Sequence, residues 1–297
     1  SRPIGLSGGW AAMARSSVEI CAAPSARVAT IVKDAAERAV ASRGAFAIAI
    51  AGGSLVKMLG EMASIPGVEW DKWHVAWVDE RCVPHEDKES NYGGARDAWL
   101  SKVPIPPSQV HAIDEKLCPG GGGLPVATAA AEEYERRLRA LPAIPHSASG
   151  LPVFDLLLLG FGPDGHVCSL FPGHPLLEDS TGRWILPIGD SPKLPPERIT
   201  LSMAAVNSAA KVVLVGTGEG KAEVVKSAFL PGCELPCAKA VGADLASPPA
   251  WVLDAAAAAL LPEPEAGAAY EVLRPDAKAV LETPTAAKKR PASALQA

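Results

Sequence analysis

The chain has 297 residues, of which 48% are hydrophobic and 21% are charged, and its formal net charge is −5. This composition is typical of a globular protein, and the negative charge offers no basic surface for nucleic acid or for an anionic membrane. Since no apolar run approaches the roughly 18–20 residues that span a bilayer, we expect neither a nucleic-acid nor a membrane partner.

The six cysteines are spread along the chain and include no C-x2-C pair. A chain of this length and composition does not need a disulfide framework, and the cysteine spacing does not fit a zinc site. The first residues also lack the continuous apolar segment of a secretory signal. We therefore expect an intracellular protein with reduced cysteines, in the cytoplasm or, if a transit peptide has been removed, in a plastid.

Short apolar runs alternate with stretches of helical pattern along the chain. Runs that are apolar throughout are typical of parallel strands covered on both faces, so the alternation predicts an α/β fold. The predicted strands are Phe46–Ala51, Trp73–Asp79, Phe154–Gly160 and Lys211–Gly216. The predicted helices are Ala26–Ser42, Leu55–Ala63, Thr128–Arg139 and Ala222–Phe229, together with Tyr92–Leu100, for which Ser90-Asn91 is the expected N-cap.

The chain shows neither an internal repeat nor a composition shift that would divide it into two domains. We predict one domain over residues 25–261, preceded by an N-terminal extension over residues 1–24. Because the hydrophobic pattern fades after Leu261, residues 262–297 are predicted to be a weakly structured tail.

The third predicted strand ends in a G-x-G-x-x-G pattern formed by Gly160, Gly162 and Gly165. In a dinucleotide-binding fold these glycines open a helix, but Pro172-Gly173 would end any helix within two turns. We therefore predict a turn at the end of a central strand and no dinucleotide cofactor.

This predicted turn contains Asp164 and His166. Ligands of open α/β sheets bind at the carboxyl ends of the strands, so His166 is a candidate general base and Asp164 a candidate for fixing its tautomer. The alternative is a histidine that only fills a turn, and the position after a glycine-rich strand end favours the catalytic interpretation.

Two further strand-to-helix connections have groups that could bind an anion. Gly52, Gly53 and Ser54 would direct backbone N–H groups and a hydroxyl at a phosphate, although a tight turn with Ser54 as N-cap fits equally well. Lys221 begins a helix after the last predicted strand, but the surrounding residues do not match a nucleotide-binding P-loop. Taken alone, Lys221 is a phosphate contact or simply a solvated lysine.

Asp79 and Arg81 follow the second predicted strand. Arg81 is suited to binding an oxyanion or a phosphate, and the alternative is an ion-pair network at the strand end. No serine lies in a G-x-S-x-G elbow, and the histidines lack metal-binding spacing. We therefore expect chemistry without a covalent serine intermediate and without a metal.

Several of these stretches together resemble the 6-phosphogluconolactonase family. The resemblance runs in order from about Ala26 to Leu261 and is most specific in the D-G-H-x-x-S-L-F-P-G run. The matching stretches are AGGS, DERCVPHEDKESNYG, GFGPDGHVCSLFPG, RITLS, VGTGEGKAEVV, LPCAKAV and WVLDAAAA. The resemblance implies a modified Rossmann-like α/β sandwich with a mainly parallel central sheet flanked by helices, shared with sugar-phosphate isomerases and deaminases, and without a dinucleotide site.

The resemblance also implies an activity, the hydrolysis of 6-phospho-D-glucono-1,5-lactone to 6-phospho-D-gluconate in the oxidative pentose phosphate pathway, without a cofactor. It implies that His166 activates a water molecule and that Asp164 orients His166. The implied substrate- and phosphate-binding residues are Gly52, Gly53, Ser54, Asp79, Arg81, Arg198 and Lys221. Which of the two arginines meets the phosphate and which the oxyanion stays open, and the expected assembly is a monomer.

Two other interpretations remain. Deaminases of the same fold share the Asp-Gly-His turn but typically continue with Asn-Glu, whereas this chain continues to Ser169-Leu170-Phe171. A non-catalytic sugar-phosphate-binding protein would have no need of His166. Cys168 stands where the family often has alanine, which is a small apolar exchange.

Overall fold

A parallel sheet of seven strands runs through the computed structural model, which describes residues 16–243, 249–265 and 268–275. The strands are Ser16–Ile20 (β1), Phe46–Ile50 (β2), Trp73–Trp77 (β3), Asp79–Arg81 (β4), Leu156–Gly160 (β5), Ile185–Ile188 (β6), Arg198–Leu201 (β7), Val212–Gly216 (β8), Ala250–Leu253 (β9) and Tyr270–Leu273 (β10). The α-helices are Pro24–Arg43 (α1), Ser54–Leu59 (α2), Asn91–Ala98 (α3), Gly123–Arg139 (α4), Met203–Asn207 (α5), Ala222–Ala228 (α6) and Pro236–Lys239 (α7).

The order of strands in this sheet is β10-β1-β9-β8-β5-β2-β3, and every neighbouring pair is parallel. β5 lies at the centre between β8 and β2. Since parallel strands end at the same edge, the connections that follow β2, β5 and β8 meet there. The predicted α/β fold with a mainly parallel sheet is confirmed.

Side chains of the central strands alternate between two apolar layers. Leu156 and Leu158 of β5 pack in the layer that contains α1 and α2, whereas Leu157 and Leu159 pack in the layer that contains α4. All four leucines are fully buried. The continuous apolar run of this strand is therefore explained by helices on both faces of the sheet.

A second sheet has three antiparallel strands in the order β4-β7-β6. The prediction of one strand over Trp73–Asp79 was wrong in its last residues. The chain leaves the main sheet at Val78, whose carbonyl accepts a hydrogen bond from Leu201 N–H at 2.7 Å. Asp79 thus begins a strand of the small sheet instead of ending a strand of the large one.

Local capping explains where two of the predicted helices begin and end. α1 starts at Pro24, which needs no hydrogen-bond partner for its nitrogen, and ends at Gly44, whose φ of 76° suits a left-handed cap. Ser90 Oγ accepts a hydrogen bond from Gly93 N–H at 3.0 Å, which confirms the predicted N-cap of α3. α4 begins at Gly123, five residues before the predicted Thr128.

The main sheet extends beyond the predicted domain at both ends. β1 lies within residues 1–24, which were predicted to be an extension, and β10 lies within the predicted tail of residues 262–297. β1 pairs with both β9 and β10, so these segments complete one edge of the sheet and correct the predicted boundaries. Residues 1–15 and 276–297 lie outside the described residues.

Candidate active site

The turn after β5 places Asp164 and His166 at the carboxyl edge of the main sheet. Gly162 N–H donates to the carbonyl of His166 at 2.9 Å, and Gly165 N–H donates to the carbonyl of Gly162 at 3.0 Å. A Cβ atom on Gly162 would lie 2.1 Å from His166 Nδ1, so this close approach requires glycine. The structure confirms a turn that presents a histidine in place of a helix that would bind a dinucleotide.

His166 and Asp164 form a close pair, with 2.5 Å between Nδ1 and Oδ1. The ring of Phe171 packs against the imidazole with 4.8 Å between centroids. Burial lowers the pKa of His166 below its usual value, and this effect outweighs the hydrogen bond and charge of Asp164, which raise it. The imidazole is therefore neutral at neutral pH, as a general base must be.

Asp164 remains ionised in this pair. Burial alone would raise its pKa, but the hydrogen bond with His166 and the electrostatic interactions with His166 and Lys193 lower it below the usual value. An ionised carboxylate accepts hydrogen bonds only, so its contact favours a proton on Nδ1 and leaves Nε2 of His166 with a lone pair.

Lys193 is a member of this cluster that the sequence did not single out. Its Nζ lies 3.1 Å from His166 Nδ1 and 3.3 Å from Asp164 Oδ2. Lys193 belongs to the loop between β6 and β7, where a lysine among prolines gives no local signal of function. It is brought to the site only by the antiparallel pairing of those two strands.

A buried polar chain lies behind the turn and includes Asp79, Ser169 and Arg198. Ser169 Oγ donates to Asp79 Oδ2 at 2.8 Å, and Arg198 Nη1 donates to Ser169 Oγ at 3.4 Å. All three residues are less than 7% exposed. This chain joins the turn to the small sheet and gives the buried charges of Asp79 and Arg198 nearby polar partners.

Most donors of Arg198 are engaged by the loop that contains Lys193. Its Nη2 donates to the carbonyls of Lys193 and Leu194 at 2.8 and 3.1 Å, and its Nε donates to the carbonyl of Pro195 at 2.9 Å. Burial and the neighbouring charge of Arg81 lower the pKa of this arginine. The geometry favours a role in fixing the loop.

Arg81 lies directly opposite Arg198 in the pairing of β4 with β7. Its Nη1 donates to the carbonyl of Glu89 at 2.7 Å and lies 3.3 Å from the Glu89 carboxylate. The two arginines thus occupy one register position of the small sheet, and both have acidic neighbours.

The turn that contains Gly52, Gly53 and Ser54 connects β2 to α2, next to the His166 turn. A Cβ atom on Gly52 would lie 1.8 Å from Asn91 Oδ1, and Asn91 Nδ2 in turn donates to the carbonyl of Asp79 at 2.9 Å. Gly53 has a φ of 73° and is the N-cap of α2. Ser54 is the first residue of this helix, and Gly53 takes the N-cap position that was considered for Ser54.

Lys221 lies after β8, on the other side of β5. Its Nζ donates to the carbonyl of Phe161 in the His166 turn. Burial lowers its pKa, the positive charge of Lys193 lowers it further, and the charge of Asp164 opposes both. Lys221 and Lys193 therefore reach the His166 turn from two different loops.

Glu80 is a buried acid between the site residues Asp79 and Arg81. Its carboxylate accepts backbone N–H groups from Asn91 and Tyr92, each at 2.7 Å, at the start of α3. Burial raises its pKa to about 7, and its backbone hydrogen bonds oppose that rise. No spacing in the sequence distinguished this structural acid from its neighbours.

Within residues 16–243, 249–265 and 268–275, no group of three or more His, Cys, Asp or Glu residues is placed to hold a metal ion. Among the same residues, no helix has the length and apolar character needed to cross a bilayer.

Comparison with known proteins gives this fold and site a family. Residues 22–246 match the family model described as glucosamine-6-phosphate isomerases/6-phosphogluconolactonase. The rat protein named 6-phosphogluconolactonase is 43% identical over 263 residues, which cover 86% of this chain and 97% of the rat protein. The chain therefore belongs to the glucosamine-6-phosphate isomerase and 6-phosphogluconolactonase family.

A rice protein and a solved structure are also similar. The rice protein, named "Probable 6-phosphogluconolactonase 3, chloroplastic", is 51% identical over 199 residues, which cover 64% of this chain. The match spans 58% of the length of that rice protein. The structure of 6-phosphogluconolactonase from Trypanosoma brucei superposes with a TM-score of 0.70 at 25% identity and covers 84% of this chain and 99% of the trypanosome chain.

Proposed function

We propose that this protein hydrolyses 6-phospho-D-glucono-1,5-lactone to 6-phospho-D-gluconate, as a step of the oxidative pentose phosphate pathway. The relatives named above support this activity, and the His166–Asp164 pair at the carboxyl edge of the sheet is the observation on which it depends. The Ser169-Leu170-Phe171 continuation after His166 supports it over deamination, since deaminases of this fold typically continue with Asn-Glu.

In the proposed mechanism His166 Nε2 takes a proton from a water molecule. The water oxygen attacks C1 of the lactone, and the bond between C1 and the ring oxygen then breaks. The imidazolium returns its proton to the departing ring oxygen, so that the histidine is regenerated. Asp164 accepts the Nδ1 proton throughout and stabilises the positive charge that develops on the ring.

The substrate phosphate is proposed to bind at the turn of Gly52, Gly53 and Ser54, with Lys221 and Arg81 as cationic partners. Backbone N–H groups and positive side chains are the donors that phosphate prefers. Asp79 and Arg198 would form the floor of the site, with Arg198 holding the adjacent loop. Phosphate contacts far from C1 would hold the reacting carbon against His166 and so convert binding energy into orientation.

The partner of this enzyme is a small-molecule sugar phosphate, and we propose that it acts as a monomer with no nucleic-acid partner. The rice relative is named as chloroplastic, which supports a plastid in preference to the cytoplasm as the compartment. Sedimentation of the purified protein and localisation of a tagged full-length protein would test these two points.

Proton release from freshly prepared lactone in weak buffer tests the activity. The wild type should exceed spontaneous hydrolysis, and His166→Ala should lower kcat by roughly 10²–10⁴-fold, as expected for loss of a general base. Circular dichroism of the variant shows whether it is folded.

A folded His166→Ala variant with wild-type activity would contradict the mechanism. A wild type that adds nothing to the spontaneous rate would contradict the activity itself. In that case ammonia release from glucosamine 6-phosphate and equilibrium binding of 6-phosphogluconate would separate a deaminase from a binding protein.

A further inference from the structure

Asn91 is a buried side chain that connects two parts of the proposed substrate site. It is the first residue of α3 and is 5% exposed. Its Nδ2 donates to the carbonyl of Asp79 at 2.9 Å, at the start of β4. Its Oδ1 faces Gly52, since a Cβ atom built on Gly52 would lie 1.8 Å from that oxygen. One amide therefore spans the gap between the small sheet and the turn that is proposed to bind phosphate.

The Gly52 turn rests against this amide. Ala51 N–H donates to the carbonyl of Leu158 at 2.9 Å, which fixes the end of β2 on the main sheet. The three atoms nearest to the Cβ position on Gly52 all belong to Asn91, at 1.8, 2.3 and 3.1 Å. The next two residues of the turn are exposed to solvent. Since Gly52 has no side chain of its own, the side chain of Asn91 limits how far the turn can move.

Asn91 is itself fixed by the buried carboxylate of Glu80. Glu80 Oε1 accepts the N–H groups of Asn91 and Arg81 at 2.7 and 2.8 Å, and Oε2 accepts the N–H of Tyr92 at 2.7 Å. Ser90 Oγ donates to the same carboxylate at 3.4 Å. Hydrogen bonds to an ionised acceptor are stronger than neutral ones. The first turn of α3 is therefore held firmly on β4, and the position of Asn91 follows from it.

Asp79 connects this arrangement to the proposed general base. Its carboxylate accepts Ser169 Oγ at 2.8 Å, and Ser169 lies three residues after His166. Through Asn91 and Asp79, the Gly52 turn is thus joined to the segment that follows His166. The phosphate and C1 are at different ends of the lactone, so the separation of the two turns decides whether both ends fit at once.

We propose that Asn91 is a positioning residue that sets the place of the Gly52 turn relative to the His166 turn, and thereby the affinity of the site for the substrate phosphate. This inference rests on the proposed binding of phosphate at the Gly52 turn. Asn91 acts through Gly52 on one side and through the backbone of Asp79 on the other, and not at the reacting carbon.

Binding of 6-phosphogluconate tests this role without turnover. Asn91→Ala should raise its Kd in titration calorimetry by roughly 10- to 100-fold, because a displacement of about 1 Å at a positioning group is enough for such a loss. Inorganic phosphate, added as a competitor, should weaken by a similar factor. In the lactone assay the loss should lie mainly in KM, with a smaller change in kcat.

Asn207→Ala is the matched control. Asn207 also joins two segments with its amide, since its Nδ2 donates to the carbonyl of Lys239 at 2.9 Å and its Oδ1 accepts the N–H of Val241 at 2.8 Å. Each variant loses a hydrogen bond to a backbone carbonyl, but only Asn91→Ala should lose affinity for 6-phosphogluconate. Equal losses in both variants would show that the effect does not come from the contact with Gly52, and would overturn the inference.

A double-mutant cycle tests the contact itself. Gly52 does not have a positive φ, so its backbone accepts alanine, but the new Cβ would meet Asn91 Oδ1 and displace the turn. Gly52→Ala should therefore weaken 6-phosphogluconate in the wild-type background. In Asn91→Ala the two nearest atoms are absent, and the same change should cost roughly 10-fold less. A methyl group that simply blocked the phosphate would cost the same in both backgrounds.

The inference is overturned if folded Asn91→Ala has the Kd of the wild type, or if Gly52→Ala costs the same in both backgrounds. If circular dichroism shows that Asn91→Ala is unfolded, Asn91→Ser, which keeps a small polar group, takes its place in both tests. A wild type that binds 6-phosphogluconate without hydrolysing the lactone contradicts the proposed activity, and the binding comparisons still decide the role of Asn91. A wild type that binds neither 6-phosphogluconate nor phosphate contradicts the phosphate site and this inference with it.

Discussion

His166 and His174 are each paired with an aspartate, and the two pairs use the imidazole in opposite ways. In the first pair Asp164 contacts Nδ1, and the structure records no hydrogen-bond partner for Nε2 among the described residues. In the second pair Asp190 lies 3.2 Å from Nε2, and Nδ1 accepts the backbone N–H of Leu176 at 3.2 Å. Both nitrogens of His174 are thus used by the protein.

An adjacent carboxylate alone therefore does not make a histidine a base. Nδ1 of His174 accepts a hydrogen bond from a backbone N–H, and this residue caps the short 3₁₀ helix Pro175–Glu178. In His166 the carboxylate contacts Nδ1, so that Nε2 keeps a free lone pair. Which nitrogen the aspartate contacts, and what the second nitrogen touches, separates a capping histidine from a catalytic one.

The largest expected effect comes from removing the charge of Asp164. Asp164→Asn should lower kcat by roughly 10²–10⁴-fold, because the amide no longer fixes the Nδ1–H tautomer or stabilises the imidazolium. The proton-release assay measures this loss, and a thermal melt should show little change because Asp164 is 39% exposed.

Asp190→Asn is the matched control for the other pair. Asp190 is 81% exposed and contacts a histidine that we assign no role in catalysis, so its variant should keep wild-type kcat and KM. Equal losses of activity in the two variants would show that the distinction between the pairs is wrong.

The turn around His166 was predictable because its determinants are local. Four leucines directly before Gly160, glycines at three close positions, and Pro172-Gly173 together define a strand, a turn and a stop. β1 and β10 were missed because their sequences, SSVEI and YEVL, contain polar residues and are not apolar throughout like the central strands, and nothing in either segment shows that it pairs with the other.

The rest of the site depends on pairing between distant segments. Val78 lies in an apolar run that predicts a single strand. Nothing in the sequence therefore indicates that the chain passes from the main sheet to the small sheet at this residue. Only the pairing of β4 with β7 brings Arg81 opposite Arg198. Lys193 is brought to His166 by the pairing of β6 with β7, and for that reason sequence reasoning missed it.

The next largest effect is expected from the loop between β6 and β7, which contacts both histidines, His174 through Asp190 and His166 through Lys193. Asp190 and Lys193 lie in the connection between β6 and β7, and Arg198 binds three of its carbonyls. Arg198→Met should reduce the free energy of unfolding by about 3–5 kcal/mol, because it removes a buried cation close to buried Asp79 and leaves the carbonyls without their donors. Urea unfolding measures this as a lower midpoint with an unchanged slope.

Arg96→Met provides the comparison for that measurement. Arg96 also binds carboxylates, those of Glu86 and Asp97, but does so at the protein surface, where an ion pair adds little to stability. We expect its unfolding midpoint to stay close to that of the wild type. If Arg198→Met unfolds at the wild-type midpoint too, the clamp on the loop makes no contribution to stability.

The smallest expected effect concerns His174 itself. His174→Ala removes the side chain that accepts the N–H of Leu176, and loss of such a cap typically costs about 0.5–2 kcal/mol. The free energy of unfolding should fall by that amount in a urea titration, while kcat/KM for the lactone stays within about twofold of the wild type, since surface effects away from the chemistry are small.

His174→Asn separates capping from any chemical role of this imidazole. Asparagine is a strong N-cap residue but lacks a group that titrates near neutral pH, so the variant should regain the lost stability and keep full activity. If activity instead falls with both substitutions and returns with neither, His174 takes part in the reaction despite the backbone N–H on its Nδ1. The nitrogen that the aspartate contacts would then no longer distinguish a catalytic histidine from a capping one. A free Nε2 would no longer be sufficient to identify His166 as the base.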